Sequence, residues 1–208
     1  MDGIAAYGVQ KSWPDTFGAR VFKISRDEQG NRLTHIKITG GELRVKSILD
    51  NRNTLSKSGG KVTEEEIWEE KVDQIRLYSG SKYTLAESAK AGTVCAVKGL
   101  TKTWPGQGLG CEKGLQQPLL QPVLTYAVLP EEGTDVHKLL KDLKLLEEED
   151  PQLHVVWQEK LKEIHLQLMG AVQLEILKRM IWDRFHVEVE FGPGNIVYRE
   201  TIENTVEG

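Results

Sequence analysis

Hydrophobic positions follow two different patterns in the two halves of the chain. From residue 18 to about residue 99 the apolar residues come in short runs, such as Val21-Phe22 and Ile36 with Ile38. Turn signals such as Gly40-Gly41 and Ser79-Gly80-Ser81 separate these runs, and glycine can adopt the positive φ that a tight turn requires. Many short strands with regular turns predict a small all-β barrel or sandwich for this half.

After the glycine-rich segment at residues 106–110 the pattern alternates between strands and helices. Residues 123–129 predict a strand, and Thr134 is the predicted N-cap of a helix. One face of that helix has apolar residues at helical spacing: Val136, Leu139, Leu140, Leu143 and Leu146. A hairpin over residues 154–168 follows.

A second helix is predicted to open at Gly170. Its inward positions are Val172, Ile176, Leu177, Met180 and Ile181. A last strand alternates apolar and polar residues up to Phe191, and Gly192-Pro193-Gly194 ends the domain. The order β-α-β-β-α-β predicts an α+β ferredoxin-like domain. Residues 196–202 read as a further strand without a predicted partner.

Charge is distributed unevenly between the halves. The 208 residues have a net charge of -4, yet residues 16–118 hold 17 Lys and Arg against 12 Asp and Glu, while residues 119–208 hold 9 against 17. Such asymmetry hints at a polyanion-facing first half, although it is also compatible with ordinary surface charge. No apolar run approaches the ~18 residues of a membrane span, and no secretory signal opens the chain, so we expect a cytoplasmic protein.

The sequence lacks the common catalytic motifs. No stretch fits G-x-x-x-x-G-K-[ST], G-x-S-x-G or H-E-x-x-H. His165, His186, Glu163 and Glu188 could form an acid–base or metal cluster, but a solvated sheet face is the commoner origin of such a pattern. The residues therefore favour a two-domain binding module over an enzyme, with no catalytic, cofactor-binding or metal-binding residue assigned.

Basic residues near the loops of the first half are the candidate nucleic-acid contacts. They are Arg44, Lys46, Arg52, Lys57, Arg76 and Lys82. Lysine and arginine bind phosphates whatever the base sequence, so these residues predict contacts with the phosphate backbone of RNA. No helix suited to reading DNA is apparent, and neither DNA nor a membrane is an expected partner.

Several motifs, in this order, resemble elongation factor G and its relatives, the tetracycline-resistance ribosomal protection proteins. They are Asp2-Gly3-Ile4, Ala19-Arg20-Val21-Phe22-Lys23-Ile24, Ala91-Gly92-Thr93-Val94, Gly106-Gln107-Gly108-Leu109, Pro122-Val123, Glu149-Asp150-Pro151, Met169-Gly170 and Tyr198-Arg199-Glu200-Thr201-Ile202. In that family the first of these motifs resembles the end of the GTP-binding domain and the last resembles the entry to the fourth domain. The motifs between them resemble the second domain, a translation-factor β-barrel, and the third, a ferredoxin-like domain.

The resemblance implies a domain plan. Residues 1–14 would end a GTP-binding domain or linker, 15–118 would form the barrel, 119–192 the ferredoxin-like domain, and 193–208 the entry to a fourth domain. It implies GTP and Mg²⁺ for the parent protein but no cofactor for this chain. The implied partners are the small-subunit RNA and proteins of the ribosome and the parent's own GTP-binding domain.

Two questions stay open at this point. Gly170-Ala171-Val172-Gln173 looks closer to the ribosomal protection branch, whereas Tyr198-Arg199-Glu200-Thr201 resembles elongation factor G, so translocation and tetracycline or antibiotic resistance are both compatible. The alternative to a GTPase fragment is a free-standing, ribosome-associated RNA-binding adaptor without GTPase activity.

Overall fold

The chain forms two units. A computed structural model of the protein describes residues 13–52, 67–114, 124–150, 152–168, 170 and 172–196. It divides into Met1–Gln117 and Pro118–Gly208. The described strands pair antiparallel, and two helices accompany them, which confirms the expectation of a mostly antiparallel protein with two helices. Neither described helix is long and apolar enough to cross a membrane.

The described residues of the first unit form ten short strands. They are β1 (Gly18–Arg26), β2 (Arg32–Gly40), β3 (Glu42–Arg44), β4 (Ile48–Asp50), β5 (Glu69–Lys71), β6 (Gln74–Ser79), β7 (Lys82–Ala86), β8 (Ser88–Lys90), β9 (Val94–Lys98) and β10 (Gly108–Gly110). Six of them form one sheet in the order β10-β1-β2-β9-β6-β7, while β3 pairs with β8 and β4 pairs with β5.

The core of the first unit lies on one face of the six-stranded sheet. Val21, Ile36, Ile38 and Ile75 point into it and are fully buried. Because side chains alternate along a strand, the residues between these positions point to the opposite face, called here the outer face. A register shift between Val21 and Lys23 interrupts the pairing of β1 with β2, as a β-bulge does.

Where the structure describes the second unit, it contains five strands and two helices. They are β11 (Leu124–Pro130), α1 (Val136–Glu149), β12 (His154–Gln158), β13 (Glu163–Leu168), α2 (Val172–Phe185), β14 (Val189–Phe191) and β15 (Asn195–Ile196). The sheet order is β12-β13-β11-β14, and β15 also pairs with β11. Leu139 and Leu143 of α1 and Ile181 of α2 join residues of the sheet in one buried cluster.

Three details differ from the expectations. Asp135, not Thr134, caps α1: its carboxylate accepts the N–H groups of His137 and Lys138, and a negative charge is favourable at a helix N-terminus. Val172 and Ile176 do not face inward, since Val172 is 78% exposed and Ile176 is also exposed. The segment after residue 194 does have a partner, because β15 pairs with β11.

Candidate nucleic-acid interface

Arg44 and Lys46 lie at the end of β3 and in the turn that follows. Arg44 Nε donates to Glu42 Oε2 at 2.9 Å, and the Arg44 side chain stays 73% exposed. Hydrogen bonds from Ser88 and Arg44 lower the pKa of Glu42. Lys46 has a φ of 71°, and its N–H donates to the Val72 carbonyl at 2.7 Å, so its backbone is fixed while its side chain is exposed. An exposed ion pair is weak, so both cations can reach a phosphate.

Arg52 and Lys82 are exposed cations on two other ladders. Arg52 follows β4, and its guanidinium is 2.6 Å from Glu69 Oε1 on β5. Lys82 begins β7 directly after the β6–β7 turn, opposite Ser79. Its side chain is exposed. Lys57 lies outside the described residues.

Arg76 is placed differently from the other candidates. Its side chain points to the outer face of β6, but Arg76 as a whole is only 4% exposed. Its Nη1 donates to Asp27 Oδ2 at 3.0 Å, and its guanidinium lies 4.5 Å from the centre of the Tyr83 ring. A guanidinium that is covered and paired in this way is a structural group, so we remove Arg76 from the candidate phosphate contacts.

Three of the exposed candidates, Arg44, Lys46 and Lys82, lie along one ribbon of chain formed by β7 and β8 with β3. Strand β7 runs on into β8, and the Val45 N–H donates to the Glu87 carbonyl between them at 2.9 Å. Ser88 pairs with Arg44, so Arg44 and Lys82 are separated by roughly 20 Å of extended chain. A phosphate backbone that contacts all of them would have to follow this ribbon.

The histidine cluster considered from the sequence does not assemble. His165 Nε2 is 3.1 Å from Glu163 Oε2, whereas His186 packs against Trp182 with ring centres 6.2 Å apart. In the part of the chain that the structure describes, no three His, Cys, Asp or Glu residues are grouped to hold a metal ion.

Sequence reasoning missed the exposed aromatic rings on the outer face of the first unit. Phe22, Tyr78 and Tyr83 are each between 42% and 50% exposed. One signal was available: Tyr78 and Tyr83 are equally distant from the Ser79-Gly80-Ser81-Lys82 turn, and a hairpin places such residues opposite each other. The position of Phe22 depends on the bulge in β1 and could not be inferred locally.

Comparison with known proteins identifies the relatives of the chain. Residues 119–193 match the family described as Elongation Factor G, domain III. The chain is 28% identical to elongation factor G of Amoebophilus asiaticus over 93% of its length, and 30% identical to elongation factor G 2 of Syntrophus aciditrophicus over 93%. The predicted resemblance is confirmed. Tetracycline resistance protein TetP of Clostridium perfringens is 28% identical over 97% of the chain, so both branches match the chain about equally well.

The chain spans between 26% and 30% of the length of these elongation factor G and TetP relatives. Its fold also resembles a crystal structure of a protein from Thermus thermophilus. That match has a TM-score of 0.65 and 24% identity, and it covers 86% of this chain and 26% of the other.

Proposed function

We propose that this chain acts as the second and third domains of a ribosome-binding translational GTPase of the elongation factor G and TetP kind. The similarity to both proteins over more than nine-tenths of the chain carries this proposal. GTP and Mg²⁺ would be held by the GTP-binding domain of the parent protein. The catalytic step belongs to that domain, and this chain supplies contacts and coupling.

The two units fit the domain types proposed for them. In the first, the six-stranded sheet and the two short ladders enclose one apolar cluster, as the strands of a small barrel over residues 15–118 would. In the second, β11 lies between β13 and β14, and the helices follow β11 and β13 in the chain. That arrangement supports a ferredoxin-like domain over residues 119–192.

The first unit contacts small-subunit ribosomal RNA through its exposed cations. Arg44, Lys46 and Lys82 present charged groups to solvent on fixed backbone, which suits contact with phosphates. Phosphate contacts release counterions, so the affinity depends steeply on salt. Arg52, like Arg44, has an exposed carboxylate partner that a phosphate would have to displace: Glu69 for Arg52 and Glu42 for Arg44.

Salt-dependent binding of the chain to purified small ribosomal subunits tests this contact. We expect the triple variant Arg44→Gln, Lys46→Gln, Lys82→Gln to bind more weakly, with the slope of log affinity against log salt reduced by roughly 2 to 3 for three lost phosphate contacts. The substituted side chains are exposed, so the fold should persist. Equal affinity and an equal slope for the triple variant and the unmodified chain would refute the contact.

Lys160→Gln provides a matched control. Lys160 is an exposed lysine in the turn between β12 and β13 of the second unit. Lys160→Gln removes one positive charge, as each of the three substitutions does, but at a site in the second unit, and we expect its salt slope to equal that of the unmodified chain. A reduction as large as one-third of the triple effect would indicate a nonspecific charge effect.

The second unit relays the GTP state between the GTP-binding domain and the ribosome. The family match over residues 119–193 supports this role. A relay works by rigid units that repack when the nucleotide changes. In the parent protein we therefore expect substitutions in the core of the second unit to reduce ribosome-stimulated GTP hydrolysis more than ribosome binding.

A further inference from the structure

Four rings form a continuous row across the outer face of the six-stranded sheet. Phe22 and His35 have ring centres 6.0 Å apart, His35 and Tyr78 are 6.1 Å apart, and Tyr78 and Tyr83 are 5.5 Å apart. These residues come from β1, β2, β6 and β7, and we call them the aromatic row. Phe22, Tyr78 and Tyr83 keep 50%, 42% and 46% of their surface exposed.

Two features of the sheet create the row. The bulge in β1 places Phe22 and Lys23 side by side opposite His35, so that both point outward. Strand β9 separates β2 from β6, but its outward residue between His35 and the β6 side chains is Ala96, which is small and fully covered. Across β9, the His35 and Tyr78 rings approach to 6.1 Å between their centres.

Polar contacts hold the row in place. His35 Nε2 lies 2.8 Å from Ser25 Oγ, which fixes the imidazole ring. The Arg76 guanidinium packs against one face of the Tyr83 ring and donates a hydrogen bond to Asp27. Rings that are already fixed lose little conformational freedom when a ligand binds.

The charge of the outer face is positive. Lys23 and Lys37 are exposed, and neither side chain forms a hydrogen bond or ion pair with a described residue. Two carboxylates reach this face from the described loops, and both are already paired: Asp27 with Arg76, and Glu112 with Arg20. The face therefore offers aromatic surface and uncompensated positive charge together.

A shallow groove continues the row at its β1 end. The groove has a volume of about 650 Å³, and its lining includes Trp13, Phe22, Lys37 and Val94. Lys37 is thus placed in a mixed groove at the end of the aromatic row, which Arg20, Thr39 and Glu112 also line. A ligand that follows the row would meet a cation where it leaves the rings.

We propose that the aromatic row binds unpaired RNA nucleotides, with bases stacked on Tyr83, Tyr78 and Phe22 and phosphates contacted by Lys23 and Lys37. Aromatic rings combined with a positive groove are the usual platform for single-stranded nucleic acid, because every base has a flat π-face. Base-paired RNA would not fit, since its bases are stacked on one another and unavailable to the rings. This inference rests on the proposed ribosomal RNA contact and adds that the contacted RNA includes unpaired nucleotides.

The test compares single-stranded and duplex RNA by fluorescence anisotropy with the full chain. The probes are a labelled, mixed-sequence RNA of about 12 nucleotides and the same strand annealed to its complement. We expect tighter binding of the single strand. We expect Tyr83→Leu and Phe22→Leu each to weaken it by roughly 5- to 150-fold, which corresponds to the loss of one stacked base, and to leave duplex binding unchanged.

Tyr83→Phe is the matched control, because it keeps the ring and removes only the hydroxyl. We expect it to bind the single strand within a factor of about 3 of the unmodified chain, since stacking needs only the ring face. Trp182→Leu removes an exposed aromatic ring from the second unit and should change neither affinity. Thermal unfolding of each variant checks that the fold is retained.

Three results would overturn the proposal. The first is equal affinity for single-stranded and duplex RNA, and the second is unchanged single-strand binding in both leucine variants. The third is weaker binding of the leucine variants to intact small subunits with no effect on either RNA, which would assign the row to a ribosomal protein.

The outcome is separable from that of the proposed function. Failure of the chain to bind small subunits would refute the ribosomal role while single-strand binding, if observed, still supported the aromatic row. If the chain binds small subunits in a salt-dependent way but both leucine variants bind single-stranded RNA as tightly as the unmodified chain, the proposal for the aromatic row is refuted and the ribosomal role is retained.

Discussion

Replacing Leu143 by alanine tests the packing of the second unit. Leu143 lies at the middle of α1, is fully buried, and belongs to the cluster that joins both helices to the sheet. The substitution removes roughly three buried carbon groups, worth about 2.4 kcal/mol of transfer free energy, and leaves a cavity that the rigid sheet cannot fully close. We expect a total loss of about 3–4 kcal/mol in the free energy of unfolding of the second unit.

Urea unfolding followed by hydrogen-exchange mass spectrometry measures this loss. Peptides from β11 and β13 report on the second unit. With an m-value of about 2 kcal/mol per molar urea, the midpoint for these peptides should fall by about 1.5–2 M. Val172→Ala is the control on the other helix, because Val172 is largely exposed and its truncation should change stability by no more than about 0.5 kcal/mol.

A loss below about 1 kcal/mol for Leu143→Ala would refute the packing described for α1. So would equal losses in Leu143→Ala and Val172→Ala, because the two sites would then be packed alike.

Three further predictions concern the first unit. Gly99 has a φ of 110°, and a Cβ there would overlap a backbone carbonyl oxygen. Gly99→Ala should therefore lower the thermal midpoint far more than Gly30→Ala, because Gly30 has a φ of 78° but open space around it. Equal shifts of the thermal midpoint would contradict this. Burial and the nearby charge of Lys23 lower the pKa of His35, so its neutral form stabilises the unit fully above pH 6.5. That stability is lost as the pH falls through the lowered pKa, and His35→Gln should flatten the unfolding free energy between about pH 7 and 5. Burial raises the pKa of the Cys95 thiol to about 12, so a thiol reagent should modify exposed Cys111 in the folded protein and Cys95 only after unfolding.

The candidate interface was predictable only in part. Turn and loop positions located Arg44, Lys46, Arg52 and Lys82 near exposed sites, because residues beside glycine turns usually face solvent. Arg76 stands on a strand with the same local pattern, yet it is buried. Its environment is set by Asp27, which is 49 residues away in the chain, and no local pattern reports such a pairing.

The buried faces of the two helices were also predictable only in part. The apolar period of α1 predicted its buried residues correctly, because Leu139, Leu143 and Leu146 form one stripe. In α2 the apolar residues are spread around more of the helix, and only Leu177 and Ile181 are buried among its described side chains. Periodicity indicates an apolar face, but the neighbouring sheet decides how much of that face is covered.

The sequence by itself determined a strand-rich first half, two helices among the strands of the second half, the glycine turns and the resemblance to elongation factor G. These features are local or are recorded in the order of short motifs. The tertiary structure decided which cations face solvent and brought Phe22, His35, Tyr78 and Tyr83 into one row. Strand register, a bulge and one small residue on β9 create that row, and cross-strand pairing joins residues that are distant in the chain.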